Sequence, residues 1–518
     1  MSSPSLETSQ LGWAGSLTET KRSSSYWQIL SSSLLIGGSS LVTACVSIVR
    51  NKIVAVFLGP AGVGLMGVLG SMTSLVWTLA AMGITTSGVR EIAEAAGSGD
   101  QIRMARTATT LRQVVVRLGG LGALLLAVFS VPVSRVTFGD SDHAITIVVL
   151  SLVILASAVN EGQLARLQGF RRIGDLARAS VASAALTLAL TVPAVYVWRE
   201  DAVVPLLVLA SLGGVVSSWW YARRIPIAQI SMKWREAMTE ARPWLRLGLA
   251  SMSSAVLAAA IAYVVRIVIA RQLGFEAAGI FQAATTLSSV YCGFILSAMA
   301  ADFLPRLSAV AEDDATCNRL VNEQVEVGLL LALPGICGTL AFSPLIVQLL
   351  YSPQFEPATD VLRWQVIGTL LRVASWPMGY MLLAKGRARL YFWTELSYNL
   401  LYLALIWIGV SLWGLPGAGI AFFGLYVYYC ALMCVVTRRL SGFTWSPANR
   451  RLTVIAIPAV VCVFVSPMIL SGPWQFIAAG AVTALAGLSS FRSLLMLPGN
   501  HGIRQALLDR LPQFARRT

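Results

Sequence analysis

Apolar residues run along this chain in blocks of twenty or so, broken by short polar stretches that carry most of the charge. A helix needs about 20 apolar residues to cross a bilayer core of ~30 Å, so each block predicts one transmembrane helix. Fourteen runs are read, at about 29–58, 63–87, 113–134, 144–165, 179–198, 204–222, 245–272, 278–303, 326–350, 360–384, 393–413, 417–437, 452–471 and 474–493. Aromatic residues mark several ends, as interfacial anchors do: Tyr26 and Trp27, Trp198, Trp219 to Tyr221, Trp244 and Trp474. The expected class is an all-α polytopic membrane protein.

Composition agrees. Of 518 residues 56% are hydrophobic and 12% charged, against roughly 25% charged in a soluble domain. The net charge of +15 would suit a nucleic-acid partner in a soluble protein, but here its distribution gives another cause. With both termini placed in the cytoplasm, thirty of the thirty-nine Lys and Arg fall on the cytoplasmic side, and only Arg135 and Arg199 fall on the other. That is the bias membrane insertion imposes, and no nucleic acid is expected. The longest outer loop, near 135–143, is too short for the catalytic domain of a polysaccharide polymerase or ligase. The chain has no P-loop, and His143 and His501 are its two histidines, so neither an enzyme nor a cofactor is expected. The seven cysteines lack metal-ligand spacing and read as packing residues. Residues 1–25 read as a short tail rather than a signal peptide.

The chain repeats itself. Residues 58–65 (LGPAGVGL) reappear as 273–280 (LGFEAAGI), 215 positions on. Residues 162–173 (GQLARLQGFRRI) resemble 379–390 (GYMLLAKGRARL), 217 positions on. Both matches relate helix n to helix n+6. They predict two pseudo-symmetric six-helix lobes, at 26–242 and 243–440, followed by a helix pair at 441–495 and a basic cytoplasmic tail at 496–518. Such repeats enclose a substrate site that rocking of the halves opens to each side in turn.

An ionisable group at bilayer depth costs ~2.5–3.5 kcal/mol on insertion scales and invites a functional reading. Lys52 and Arg266 lie about six residues, ~9 Å, inside the outer ends of helices 1 and 7, at nearly equivalent repeat positions. Arg50 is some 200° from Lys52 around its helix, so the two face different ways. Arg372 lies about 13 residues, ~20 Å, into helix 10; it either binds substrate or pairs with Glu161, Asp302 or Glu395. Those three acids are candidates to carry a coupling ion, although Asp302 and Glu395 lie near the cytoplasmic boundary. Arg271 and Arg363 sit within a turn of the outer surface, where snorkelling accounts for them. The in-membrane set is mainly positive, so a central cationic cavity suited to an anion is expected. Pro334 and Pro377 would bend helices 9 and 10.

Several spaced motifs carry a resemblance over most of 26–440: residues 52–65 (KIVAVFLGPAGVGL), 304–308 (LPRLS), 363–368 (RWQVIG), 383–386 (LAKG) and 392–396 (FWTEL). In these the chain resembles the Wzx-type O-antigen and enterobacterial common antigen translocases, of the multidrug/oligosaccharidyl-lipid/polysaccharide exporter superfamily. The resemblance implies a two-lobed, MATE-like fold of twelve to fourteen helices in the bacterial inner membrane. It implies a flippase that moves an undecaprenyl-diphosphate-linked oligosaccharide from the cytoplasmic to the periplasmic leaflet. H+ or Na+ would be a counter-ion, membrane lipids and a polysaccharide polymerase or chain-length complex possible partners. By motif position Lys52, Arg266, Gln365, Arg372, Lys385 and Glu395 look like family positions. Helices 13 and 14 exceed the twelve-helix relatives; they would form a groove for the lipid tail or pack outside. A multidrug or cation antiporter of the same fold is the alternative, and it would want acidic rather than basic residues inside.

Overall fold

The computed structural model describes residues 8–496 apart from 229 and 471, with side chains described from Leu35 onward except at scattered positions that include Asp302. The basic tail predicted beyond 496 lies outside the described residues. Fourteen α-helices carry the described chain, and among those residues there is no strand. They are α1 (Thr8–Ala81), α2 (Ile84–Ser98), α3 (Gln101–Val128), α4 (Ser130–Thr137), α5 (Ala144–Gly169), α6 (Ile173–Trp198) and α7 (Val203–Ala222). Then come α8 (Trp234–Ala309), α9 (Asp314–Leu350), α10 (Ala358–Ala384), α11 (Ala388–Trp413), α12 (Leu415–Ser441), α13 (Pro447–Ile469) and α14 (Pro473–Met496). Twelve are long and apolar enough to cross a membrane.

The difference from fourteen predicted runs lies in α1 and α8, each of which covers two of them. Each is interrupted at one glycine, Gly59 (φ 63°, ψ −173°) and Gly274 (φ 89°, ψ 168°). This backbone region is open only to glycine, because a Cβ would collide with the chain. The two breaks are the second residues of the repeated segments 58–65 and 273–280.

The chain divides into two compact units, Met1–Ile53 with Met72–Val256, and Val54–Ser71 with Leu257–Thr518. In the first, α3, α5, α6 and α7 pack together, and the amphipathic α2 buries Ile84 and Ile92 with Leu111, Val115 and Ala158. A hydropathy reading passes over α2, because its 15 residues include Arg90, Glu91 and Glu94 and only one face is apolar. In the second, α9, α10, α11 and α12 form the packed body, and the stretch after Gly59 joins them. There Gly64 and Gly279, equivalent in the repeat, let two helices touch backbone to backbone. A Cβ on Gly64 would stand 1.9 Å from the Phe275 carbonyl oxygen, and one on Gly279 would stand 1.8 Å from that of Pro60.

The second repeat match aligns differently from its sequence reading. α5 closes with Arg171 N–H donating to Gln168 and Arg172 N–H to Leu167; α10 closes with Gly386 N–H donating to Leu383 and Arg387 N–H to Leu382. Both are Schellman caps with a left-handed residue, Arg171 (φ 54°) and Gly386 (φ 66°). These caps are 215 positions apart, as are both ends of α6 and α11, so the register is 215 rather than 217. Arginine stands where glycine serves in the other copy, which displaced the match.

α13 and α14 pack on α9. Asn449, buried at the start of α13, donates to both the backbone carbonyl and side-chain oxygen of Asn322, while Asn322 donates to the Thr444 carbonyl. The break in α9 falls at Phe342 (φ −109°, ψ 16°), two residues before Pro344, rather than at Pro334. The displaced Phe342 ring stacks on Phe476 of α14, centroids 6.4 Å apart.

Candidate functional site: a basic and tyrosine-rich interior in the second unit

Side chains from α8, α10, α11 and α12 meet inside the second unit, and the site is built from them. On α8, Arg266 donates through Nε to Gln282 Oε1 (2.9 Å) and through a terminal nitrogen to the Ala262 carbonyl (2.8 Å). Gln282 in turn donates to Thr286 (3.2 Å). The glycine at 67 makes room: a Cβ there would stand 3.2 Å from Gln282 Oε1. Gln365 on α10 is 1% exposed and joins α10 to α8, accepting from Ser288 (3.0 Å) and donating to Thr285 (3.1 Å). Both ends of its amide are satisfied, so Gln365 reads as a structural cross-link.

Arg372 lies two turns further along α10. Its electrostatic neighbours are Tyr426 of α12, Cys292 of α8 and Tyr398 of α11. Arg266 has Tyr402 of α11 as its own. The tyrosines form a chain. Tyr398 hydroxyl donates to Tyr426 hydroxyl (3.0 Å), the Tyr398 and Tyr429 rings lie 5.0 Å apart, and Tyr429 hydroxyl donates to Glu395 Oε1 (3.1 Å). The two arginines and Glu395 thus reach one network of phenol groups.

The ion pairs considered for Arg372 are not found among the described residues. Glu395 is taken up by Tyr429, and Glu161, half-buried in α5, forms no ion pair among the described residues. The Asp302 side chain lies outside the described set. Arg50 and Lys52 are half-buried in the first unit; the Arg50 Nε is enclosed with no hydrogen-bond acceptor among the described residues. Arg363 departs from expectation. It does not snorkel: it is 8% exposed, donates to the Phe464 carbonyl of α13 and lies 4.8 Å above that ring, fastening α13 to α10. Arg271 is exposed. Lys385 is explained by structure, since it bonds the Ala311 carbonyl and Asp314 (2.6 Å each) at the head of α9.

Sequence reasoning passed over Tyr398, Tyr402, Tyr426 and Tyr429, because the search at membrane depth was for formal charge. The signal was present. Glu395, Tyr398 and Tyr402 follow at i, i+3 and i+7 on α11, and Phe422, Tyr426 and Tyr429 at i, i+4 and i+7 on α12.

Residues 53–360 match the family described as polysaccharide biosynthesis protein. The chain is 27% identical over 414 residues to the lipid III flippase of Escherichia coli (strain K12), covering 78% of this chain and 97% of that protein. The lipid III flippase of Shigella flexneri matches to the same degree. Among solved structures, the lipid II flippase MurJ in an inward closed conformation superposes with a TM-score of 0.67 at 11% identity, over 89% of this chain and 99% of that one. An inward-facing MATE family multidrug resistance transporter superposes with a TM-score of 0.65 at 16% identity, over 77% and 94%. At such identities the likeness is one of fold.

Proposed function

Since the chain belongs to the polysaccharide biosynthesis protein family matched by its residues 53–360, we propose that it is a flippase for a lipid-linked oligosaccharide in the bacterial inner membrane, with both termini in the cytoplasm. The observation that carries the reading is Arg372: a guanidinium deep in α10, beside phenol groups, with no ion pair among the described residues. An arginine in that setting suits a diphosphate, whose oxygens match the guanidinium fork, better than a lipophilic cation. Arg266 stands ready on the same network, and the phenol hydroxyls suit sugar hydroxyls. The 27% identity to the lipid III flippase supports the substrate class. Within the first unit Lys52, or Arg50 on another side of the same helix, is a separate candidate to hold an anion.

The polyprenyl tail stays in lipid throughout, so the polar head crosses while held by protein groups. Access alternates between the two leaflets, and Glu395, hydrogen-bonded to Tyr429, is the residue we assign to ion coupling. An antiporter of cations would need its carboxylates unopposed, whereas here two arginines share the network with one glutamate.

The test is reconstitution in liposomes with a fluorescent undecaprenyl-diphosphate oligosaccharide, read by quenching from outside. Time-dependent exposure of the outer leaflet is expected. Normal efflux of a lipophilic cation with no movement of the glycolipid would overturn the proposal.

A further inference from the structure

The first unit holds a second basic feature, apart from the site above. At the ends of α3, α5 and α7 that the charge bias assigns to the cytoplasm lies a cavity of about 480 Å³. Arg112, Arg166 and Arg223 line it, together with Gln163, Thr109 and Trp219, and no acidic residue does so among the described residues. Arg112 and Arg166 are close enough to repel each other electrostatically, and the Arg166 Nε is enclosed without an acceptor among the described residues. Glu240 of α8, which reaches α3, is committed elsewhere: it accepts from Thr110 (3.0 Å) and stands 3.8 Å from Arg106. The walls are fixed. Gln163 accepts from Ser218 of α7 (2.6 Å), Arg223 lies over the Trp219 and Trp220 rings at 4.7 and 3.7 Å, and Ile225 packs against the cluster around Leu167 and Ala222.

The fold itself does not require such a space. By the 215 register, Arg166 corresponds to Met381 and Gln163 to Met378, both fully buried in α10. There Met381 sulfur accepts from Ser441 (3.3 Å), which also donates to Asn318. The second unit fills with methionine the positions that the first lines with Arg and Gln. Like-charged guanidinium groups gathered around a space with no carboxylate favour an anion between them, and basic pockets between helices on the cytoplasmic side take lipid head groups.

We infer that this cavity binds a phosphate ester group, most simply the head of an anionic membrane lipid entering from the cytoplasmic leaflet. Arg112 and Arg166 would clamp the phosphate oxygens, Gln163 and Thr109 would accept and donate at the remaining polar atoms, and Arg223 would close the rim.

The full-length protein is titrated in detergent with phosphatidylglycerol, with phosphatidylcholine and with inorganic phosphate, and thermal unfolding is followed. Phosphatidylglycerol is expected to raise the melting temperature, and the Arg112→Gln/Arg166→Gln double variant to need roughly tenfold more of it. Arg178→Gln, on α6 outside the cavity, should titrate like the parent. If inorganic phosphate protects the parent and not the double variant, the site stands and a soluble phosphate is its source. An independent readout leaves the arginines intact: in a variant lacking the seven native cysteines, maleimide labelling of Thr109→Cys should slow when phosphatidylglycerol is present. A double variant that titrates like the parent, or a parent that responds equally to phosphatidylcholine, overturns the inference.

Discussion

Arg372 shows what a single residue can disclose about function. Insertion of its charge into the membrane has a cost, yet the described residues return no carboxylate to offset it. Removing one partner of a buried ion pair orphans the other; removing Arg372 orphans none. Arg372→Ala is therefore expected to cut glycolipid flipping by roughly tenfold or more while leaving the melting temperature near that of the parent, with Arg372→Lys between them. Proteoliposome flipping and tryptophan-monitored unfolding check the two halves, and a normal rate in the alanine variant would remove Arg372 from the mechanism. Gln365 should behave in the opposite way. Its amide bonds Ser288 and Thr285, so Gln365→Leu breaks both hydrogen bonds between α10 and α8, leaving Ser288 only the Thr285 carbonyl, and should cost about 1–3 kcal/mol of stability, seen as a lowered melting temperature. The charge at Arg372 could be read in the sequence, because a lone Arg in an apolar run stands out. Its neighbours were legible only as a helical spacing of tyrosines, since Tyr426 and Tyr398 carry no formal charge and become polar ligands only when α11 and α12 turn them inward.

Helices meet in this protein where side chains are missing. Gly64 and Gly279 allow carbonyl oxygens of the opposite helix to approach to where a Cβ would sit, so alanine at either position must push the helices apart. Gly279→Ala is expected to cost about 1–3 kcal/mol, measured as a lowered melting temperature, because the obstacle is backbone and cannot rotate away. Gly70→Ala, in open space on the same α1, should be neutral or stabilising by about 0.5–1 kcal/mol. Helix starts repeat as well. Asp100 and Asp313 cap α3 and α9, each accepting from the two N–H groups two and three residues on. The Thr316 hydroxyl and the backbone donors hold the Asp313 carboxyl below the usual range. A carboxyl depressed on folding stabilises at neutral pH and loses that contribution as pH falls through its folded value. Asp313→Ala should thus lower the melting temperature at pH 7, and the gap to the parent should narrow in acid; a gap that widens would exclude the cap. The glycine repeat was legible because its residues are rare inside apolar runs. The α5 and α10 caps were not, because a left-handed arginine at 171 and a glycine at 386 share a conformation but no chemistry.

At the scale of the molecule, one property was written plainly into the sequence: basic residues gather on alternate sides of successive helices. Thirty Lys and Arg against two decide the orientation only if every crossing is counted, and the structure shows why counting is delicate, since α1 and α8 each hold two helical stretches separated only by a glycine break. A missed reversal at Gly59 would invert every loop that follows up to Gly274. The positive-inside bias predicts that the loop with Asp140 and His143 faces the periplasm and the α2–α3 turn at Ser98 faces the cytoplasm. In a variant lacking the seven native cysteines, all free, Ser141→Cys should label with a membrane-impermeant maleimide in intact spheroplasts. Ser98→Cys should label only after lysis. The reverse pattern would place the Arg112, Arg166 and Arg223 cavity at the outer leaflet, and a single labelled face for both would mean that α3, the one candidate span between them, does not cross.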